Sequence, residues 1–310
     1  MVHARILDKQ EKDEDAMELY SELLPGFEKG GEIKHMIEVL CRQCNIHIQH
    51  GRIDEAEKSC DKALSKAPEA GDNTLLSELL YEAAQIAIRT GKTDGFADVM
   101  KKVKKLDDGH HSSEKQHLCL LLQEEESYIS ANDSEKYLEY LKRLGRIFSY
   151  EKNEDLTAFM FFKQAMVKTL EGSFDEALTV LKEDVLKNEH DVRLAAMGLM
   201  LACDIGCLTG KTDNGHFRDI DEGVVKNIPT LYPKYKVLSR ISNGSGSISD
   251  DLVASFLADV QALRQQLLYE EFPFCLKERL KQGSDELQGQ VLACFYGRDK
   301  LETFLKTPGV

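Results

Sequence analysis

Ile37–Pro68 reads IEVLCRQCNIHIQHGRIDEAEKSCDKALSKAP, and this stretch decides the fold. Apolar residues return at helical spacing on both sides of Gly51. A glycine there can take the left-handed backbone that ends a helix. Asp54 follows at the point where a carboxylate faces the exposed N–H groups of the next helix. The segment therefore predicts two amphipathic helices joined by a tight turn, with small residues where they cross.

The same pattern recurs. Turns read HGRIDEA from His50, TGKTDGF from Thr90, SANDSEKY from Ser130 and EGSFDEA from Glu171. Their reference residues, Gly51, Gly91, Asn132 and Gly172, are spaced by 40, 41 and 40 residues, and Asp54, Asp94, Asp133 and Asp175 stand near each following helix start. A fixed period of this length is the mark of a repeat architecture, in which each hairpin buries its apolar face on its neighbours.

On these residues the chain resembles the tetratricopeptide repeat family, whose unit is about 34 residues long. Gly51, Ala56, Ala63 and Pro68 stand at the family's turn and packing positions, and Cys44 at the small-residue position of the first helix. The fourth unit matches through Ala165, Gly172 and Ala177, whereas Phe96 and Tyr137 replace the usual alanine in the second and third. The resemblance implies an all-α fold: a right-handed superhelical α-solenoid of helical hairpins with a helical C-terminal cap. Six extra residues per unit add about 9 Å of helix, nearly one turn for each of the two.

The register places residues 1–30 as a partial N-terminal hairpin or cap, with Asp13 to Lys29 as its second helix. Residues 31–230 hold about five repeats, the fifth with its turn at TGKTDNGHF from Thr209 and its final position at Pro229. Residues 231–249 form an irregular linker with the Ser/Gly loop SNGSGS, and 250–310 a C-terminal hairpin and cap. Helices are expected there at Asp250–Glu270, Phe274–Gln282, Asp285–Tyr296 and Lys300–Lys306.

Composition narrows the function. A formal charge of −14 and a pI near 5.2 oppose general binding to nucleic acid, which needs dense cations to displace counterions. Lys101, Lys102, Lys104 and Lys105 read as the wet side of one helix. No stretch approaches the roughly 20 apolar residues that span a bilayer, and MVHARILDKQEKDEDA has no signal-peptide core. Eight cysteines lie among apolar neighbours at helical spacing, as free thiols in a reducing compartment. A cytoplasmic or nuclear setting follows, without membrane association.

Motifs that imitate chemistry fail on spacing. GKT at Gly91 and Gly210 lacks the upstream glycine and the preceding strand of a phosphate loop. Cys41, Cys44, His47 and His50 resemble a zinc set, but on one helix they span about 13.5 Å along the axis, too far for one ion. His110 and His111 sit in a hydrophilic connector. No GxSxG, HExxH or paired-carboxylate site appears. The reading has no enzyme, cofactor or metal.

In the family the first helix of each hairpin lines a concave, ligand-holding surface. Carried over, those positions are Glu38, Arg42, Asn45 and Gln49, then Glu78, Tyr81, Glu82, Gln85 and Arg89. Leu122, Gln123 and Glu126 come next, and Phe159, Phe162, Lys163 and Met166 complete the surface. Its middle is acidic and its far end apolar. Members that clamp chaperone C-terminal tails use Lys and Asn on the carboxylate. Here Asn45 matches, but Cys41, Glu82, Cys119 and Gln123 depart from the clamp, so chaperone tails are disfavoured. The expected function is a scaffold or adaptor that binds a basic or amphipathic protein segment, alone or within a larger complex. The alternative is a regulatory module responding to a peptide or small ligand.

Overall fold

A computed structural model of the protein describes residues 1–10, 12–106, 114–131, 133–187, 191–210, 215–243, 248–296 and 298–306. Asn132, His110, His111 and most of the SNGSGS loop lie outside the described residues, as does the stretch 211–214 inside the TGKTDNGHF turn. Among the described residues the regular structure is helical, with one isolated backbone bridge between Leu267 and Phe295. The protein divides into two compact units, Met1–Leu122 and Gln123–Val310.

Unit 1 contains α1 (Val2–Lys9), α2 (Asp13–Gly30), α3 (Ile33–Gln49), α4 (Ile53–Ala70), α5 (Asn73–Arg89), α6 (Thr93–Leu106) and the first turns of α7 (Glu114–Ala131). Gly31, Gly51, Gly71 and Gly91 follow one another every twenty residues, with φ of 69°, 69°, 59° and 67°. Each sits just past a helix end. At Gly51 and Gly91 the following N–H reaches back across the turn, Arg52 to His47 O and Lys92 to Ala87 O, both at 2.8 Å. These bonds satisfy carbonyls that the helix end would leave free. The rhythm is thus one helix per twenty residues, and it begins before the first hairpin expected from sequence: α1, Val2–Lys9, occupies most of the twelve residues that precede α2.

Packing follows the small residues. α3 lies on α4, α5 on α6, and α3 also on α5, so the first helices of successive hairpins are neighbours. Ala56 and Ala63 of α4 are completely buried, as is Cys44 of α3, whose thiol contacts Cys60. Ala4, Ala16, Tyr20, Val39 and Ile46 tie α1 and α2 to α3.

Unit 2 contains the rest of α7, α8 (Ser134–Tyr150), α9 (Glu154–Leu170), α10 (Phe174–Val180) continued by a π-helical turn at Leu181–Val185, and α11 (Val192–Leu208). α8 packs on α9 and α9 on both α10 and α11. Tyr137, in the place of the family's alanine, is buried and stacks on Tyr128 at 5.0 Å between centroids. After α11 the hairpin pattern breaks: a 3-10 turn at Gly215–Asp219 and the short α12 (Glu222–Lys226) precede α13 (Tyr232–Asn243).

The C-terminal part departs furthest from expectation. α14 runs from Asp250 only to Leu263, where Arg264 takes a left-handed φ of 53°. The backbone then turns to an extended course, bridging Leu267 to Phe295, with 3-10 turns at Tyr269–Glu271 and Phe274–Leu276. Pro273 lacks the N–H that a continuing helix would need. α15 (Lys277–Gln282), α16 (Asp285–Leu292) and α17 (Arg298–Lys306) follow. Phe256, Phe272, Phe274, Phe295 and Phe304 form one buried aromatic cluster.

Candidate partner-binding faces

In unit 1 the expected residues of α3 and α5 share one polar face. Asn45 donates to the Glu82 carboxylate at 3.3 Å and accepts from Gln49 at 2.7 Å, while Gln85 donates to the other Glu82 oxygen at 3.3 Å. Glu82 is only 3% exposed. Burial pushes its carboxyl up to about 7, against the pull of Lys115 and the hydrogen bond from Asn45. Glu78, one turn earlier and half-buried, receives the Cys41 thiol at 3.9 Å. Tyr81 lies under the Lys115 ammonium, 4.8 Å from the ring centre.

The N-terminal edge of this face is closed by α1. Glu38 pairs with Arg5, and Arg42 stands 3.9 Å from Asp8. Gln49, Gln85 and Arg89 are half-buried and Arg42 is exposed. The result is a half-exposed polar strip with a carboxylate, Glu82, sunk beneath it.

The four residues of the C-x2-C-x2-H-x2-H run go separate ways. The Cys41 thiol is held well above its ordinary pKa by burial and by Glu82 and Glu78. Cys44 faces Cys60. His50 pairs with Asp13 at 2.8 Å. His47 is half-buried, and burial together with Arg52 lowers its pKa. Among the described residues no group of three or more His, Cys, Asp or Glu side chains is placed to hold a metal ion. No helix there is long and apolar enough to cross a membrane.

Unit 2 treats its share of the expected surface differently. Gln123 and Phe159 are half-buried, and the side chain of Glu126 lies outside the described residues. Phe162, Lys163 and Met166 are interior, which corrects their assignment to a partner-holding surface. Lys163 Nζ sits 3.1 Å from Glu125 and 2.7 Å from Glu270. Burial works against the ammonium, but the two carboxylates outweigh it and raise its pKa.

The partner of Lys163 comes from the protein's own segment 267–276. Lys234 donates to Glu270 O at 3.1 Å and pairs with Asp204 at 2.7 Å, and Asp204 accepts from Cys275 N at 3.0 Å. Sequence reading missed Glu125, Asp204, Lys234 and Glu270. One signal was present: Glu270 and Glu271 interrupt the apolar run LLYEEFPFCL, and acids buried in such a run need cationic or N–H partners.

No protein-family model, no curated protein and no solved structure matches the sequence. Fold and faces together define an all-helical protein built largely of hairpins, with an acidic half-buried strip in unit 1 and a self-filled interior in unit 2.

Proposed function

We propose that the protein is a scaffold or adaptor that holds a basic or amphipathic segment of another polypeptide on the α3–α5 face of unit 1. The observation that carries this reading is the stacking of two carboxylates there, Glu78 half-exposed and Glu82 buried below it on Asn45. A cationic group laid along the strip would meet Glu78 first and draw on the field of Glu82 behind it. Apolar residues of a helical segment would meet the half-buried ring of Tyr81.

The reading takes the hairpins as tetratricopeptide-like units in a right-handed superhelix. It leans on the forty-residue turn spacing, the left-handed turn glycines and the side-by-side first helices α3 and α5. It has no catalytic step and places the protein in the cytoplasm or nucleus. A chaperone tail ending in a carboxylate fits poorly, because Glu78 and Glu82 would repel it.

The test is fluorescence anisotropy of a labelled amphipathic peptide with Lys and Leu at helical spacing, titrated with the full-length protein. Glu78→Lys should weaken binding by about tenfold or more, while Asp61→Lys on the exposed side of α4 leaves it unchanged. Equal affinity for the Glu78→Lys and unaltered proteins removes the α3–α5 face as the site.

A further inference from the structure

Opposite the filled side of α9, unit 2 keeps an open cavity. At about 100° per residue, Thr157, Phe161 and Gln164 form a stripe of α9 facing away from Phe159, Phe162, Lys163 and Met166. Between that stripe and α8 lies a cavity of about 500 Å³, lined also by Lys142, Arg146, Ser149 and Tyr150. A second cavity of about 490 Å³ adjoins it along α8, sharing Lys142 and Arg146 and reaching Arg143, Tyr140 and Lys136, with the carboxylates Glu124 and Glu139 also in its lining. At its far rim Lys136 is paired with Glu124 at 3.2 Å.

Three features make this more than a solvated helix side. First, Lys142, Arg143 and Arg146 are exposed, and among the described residues no carboxylate pairs with them, within a protein of net charge −14. The α8 dipole does not account for them, because no basic residue stands in the last turn of the helix. Second, Gln164 is only 5% exposed and lines the cavity. A ligand supplying both a donor and an acceptor would match its amide. Third, Tyr150 is 90% exposed at the cavity mouth, with Phe161 half-buried inside.

We propose that the α8–α9 groove is a second docking surface, for an extended acidic peptide carrying one aromatic residue. Carboxylates would meet Lys142, Arg143 and Arg146, and the aromatic ring would enter between Tyr150 and Phe161. The carboxamide of Gln164 offers one acceptor and two donors, the complement of a backbone carbonyl and N–H. Thr157 already donates its hydroxyl to Asn153 O at 2.7 Å, which leaves its oxygen to accept. From Lys136 to Tyr150 α8 rises about 21 Å, the length of about six extended residues. The net negative charge of the protein opposes a dense polyanion such as nucleic acid, whereas a short peptide needs only the local cations. This surface is independent of the α3–α5 face, and neither proposal depends on the other.

The experiment uses the full-length protein and three fluorescein-labelled peptides, Asp-Glu-Xaa-Asp-Glu-Asp with Xaa as Phe, Tyr or Trp, read by anisotropy. Saturable binding of at least one is expected, weakening as salt rises and at least about tenfold weaker for Lys142→Glu with Arg146→Glu. Gln164→Leu and Tyr150→Ala should each weaken it by about threefold or more. Circular dichroism and melting check that each variant keeps its fold, and the exposed sites at 142, 146 and 150 keep the test usable should Gln164→Leu fail to fold. The proposal is overturned by absence of saturable binding for all three peptides, or by equal binding to the double charge variant. It is also overturned by equal affinity for the peptide with Xaa as Ala, or by tighter binding of single-stranded DNA of matched charge.

Discussion

Lys163 Nζ and Glu270 Oε1 lie 2.7 Å apart, each side chain about 5% exposed, joining α9 to a turn 107 residues further along the sequence. With Glu125 on the other side, the ammonium has two carboxylate partners in the interior of unit 2.

Lys163→Met leaves Glu125 and Glu270 facing each other without a cation. Removing one member of a buried ionic group costs about 3–5 kcal/mol, because the remaining charges stay desolvated. Urea denaturation of the full-length protein should show that loss at neutral pH. The triple change with Glu125→Leu and Glu270→Leu should recover most of it, since an apolar replacement of the whole group leaves no charge stranded.

Glu82 gives unit 1 a pH dependence. Its folded-state pKa is raised to about 7, above the value near 4.5 of the unfolded state. Below about pH 4.5 both states are protonated and Glu82 is neutral in its effect. As pH rises from there to about 7, the unfolded state ionises first, so the buried carboxyl increasingly favours unfolding. Glu82→Gln should therefore stabilise the protein by about 1–3 kcal/mol at pH 8, with no gain near pH 4. The upper figure is reduced because the amide cannot accept from both Asn45 and Gln85. Thermal melts at the two pH values check the sign.

The helix-ending residues can be tested as a pair. Gly71 has φ of 59° with open space around it, so Gly71→Ala meets backbone strain without a clash; the expected cost is about 1 kcal/mol. Lys152 already bears that strain at φ 58°. Lys152→Gly should gain up to about 1 kcal/mol. Chemical denaturation midpoints of the two variants should move in opposite directions.

Thiol chemistry should single out Cys207. Six cysteines are buried, while Cys207 and Cys294 are partly exposed. A hydrogen bond with Cys275 lowers the Cys207 pKa, whereas burial raises that of Cys294. Since the thiolate is the reactive form, iodoacetamide at pH 7.5 should label Cys207 first, as read by peptide mass spectrometry. The six buried thiols should react only after unfolding.

The helical rhythm was legible because it is local. Gly51, Gly91 and Gly172 end helices through their own backbone freedom, and Asp133 caps α8 by accepting from Lys136 N at 3.1 Å. Apolar spacing between such signals fixes a helix with no reference to distant residues. The polar strip of α3 and α5 was legible for the same reason, since the repeat register sets α5 beside α3, where Asn45 reaches Glu82 37 residues further on.

What the sequence could not disclose depends on distant partners. Phe159, Phe162, Lys163 and Met166 occupy the same register as the unit 1 strip, yet three of them are interior, and Lys163 takes Glu270 of segment 267–276 as its partner. The end of α14 at Leu263 belongs to the same event, because the backbone must leave the helix to bring Glu270 to Lys163. Periodicity determined the helices, their turns and the face each could present. Only the tertiary structure decided which faces the protein keeps for itself, because an ion pair across 107 residues exists only once packing has excluded water from both partners.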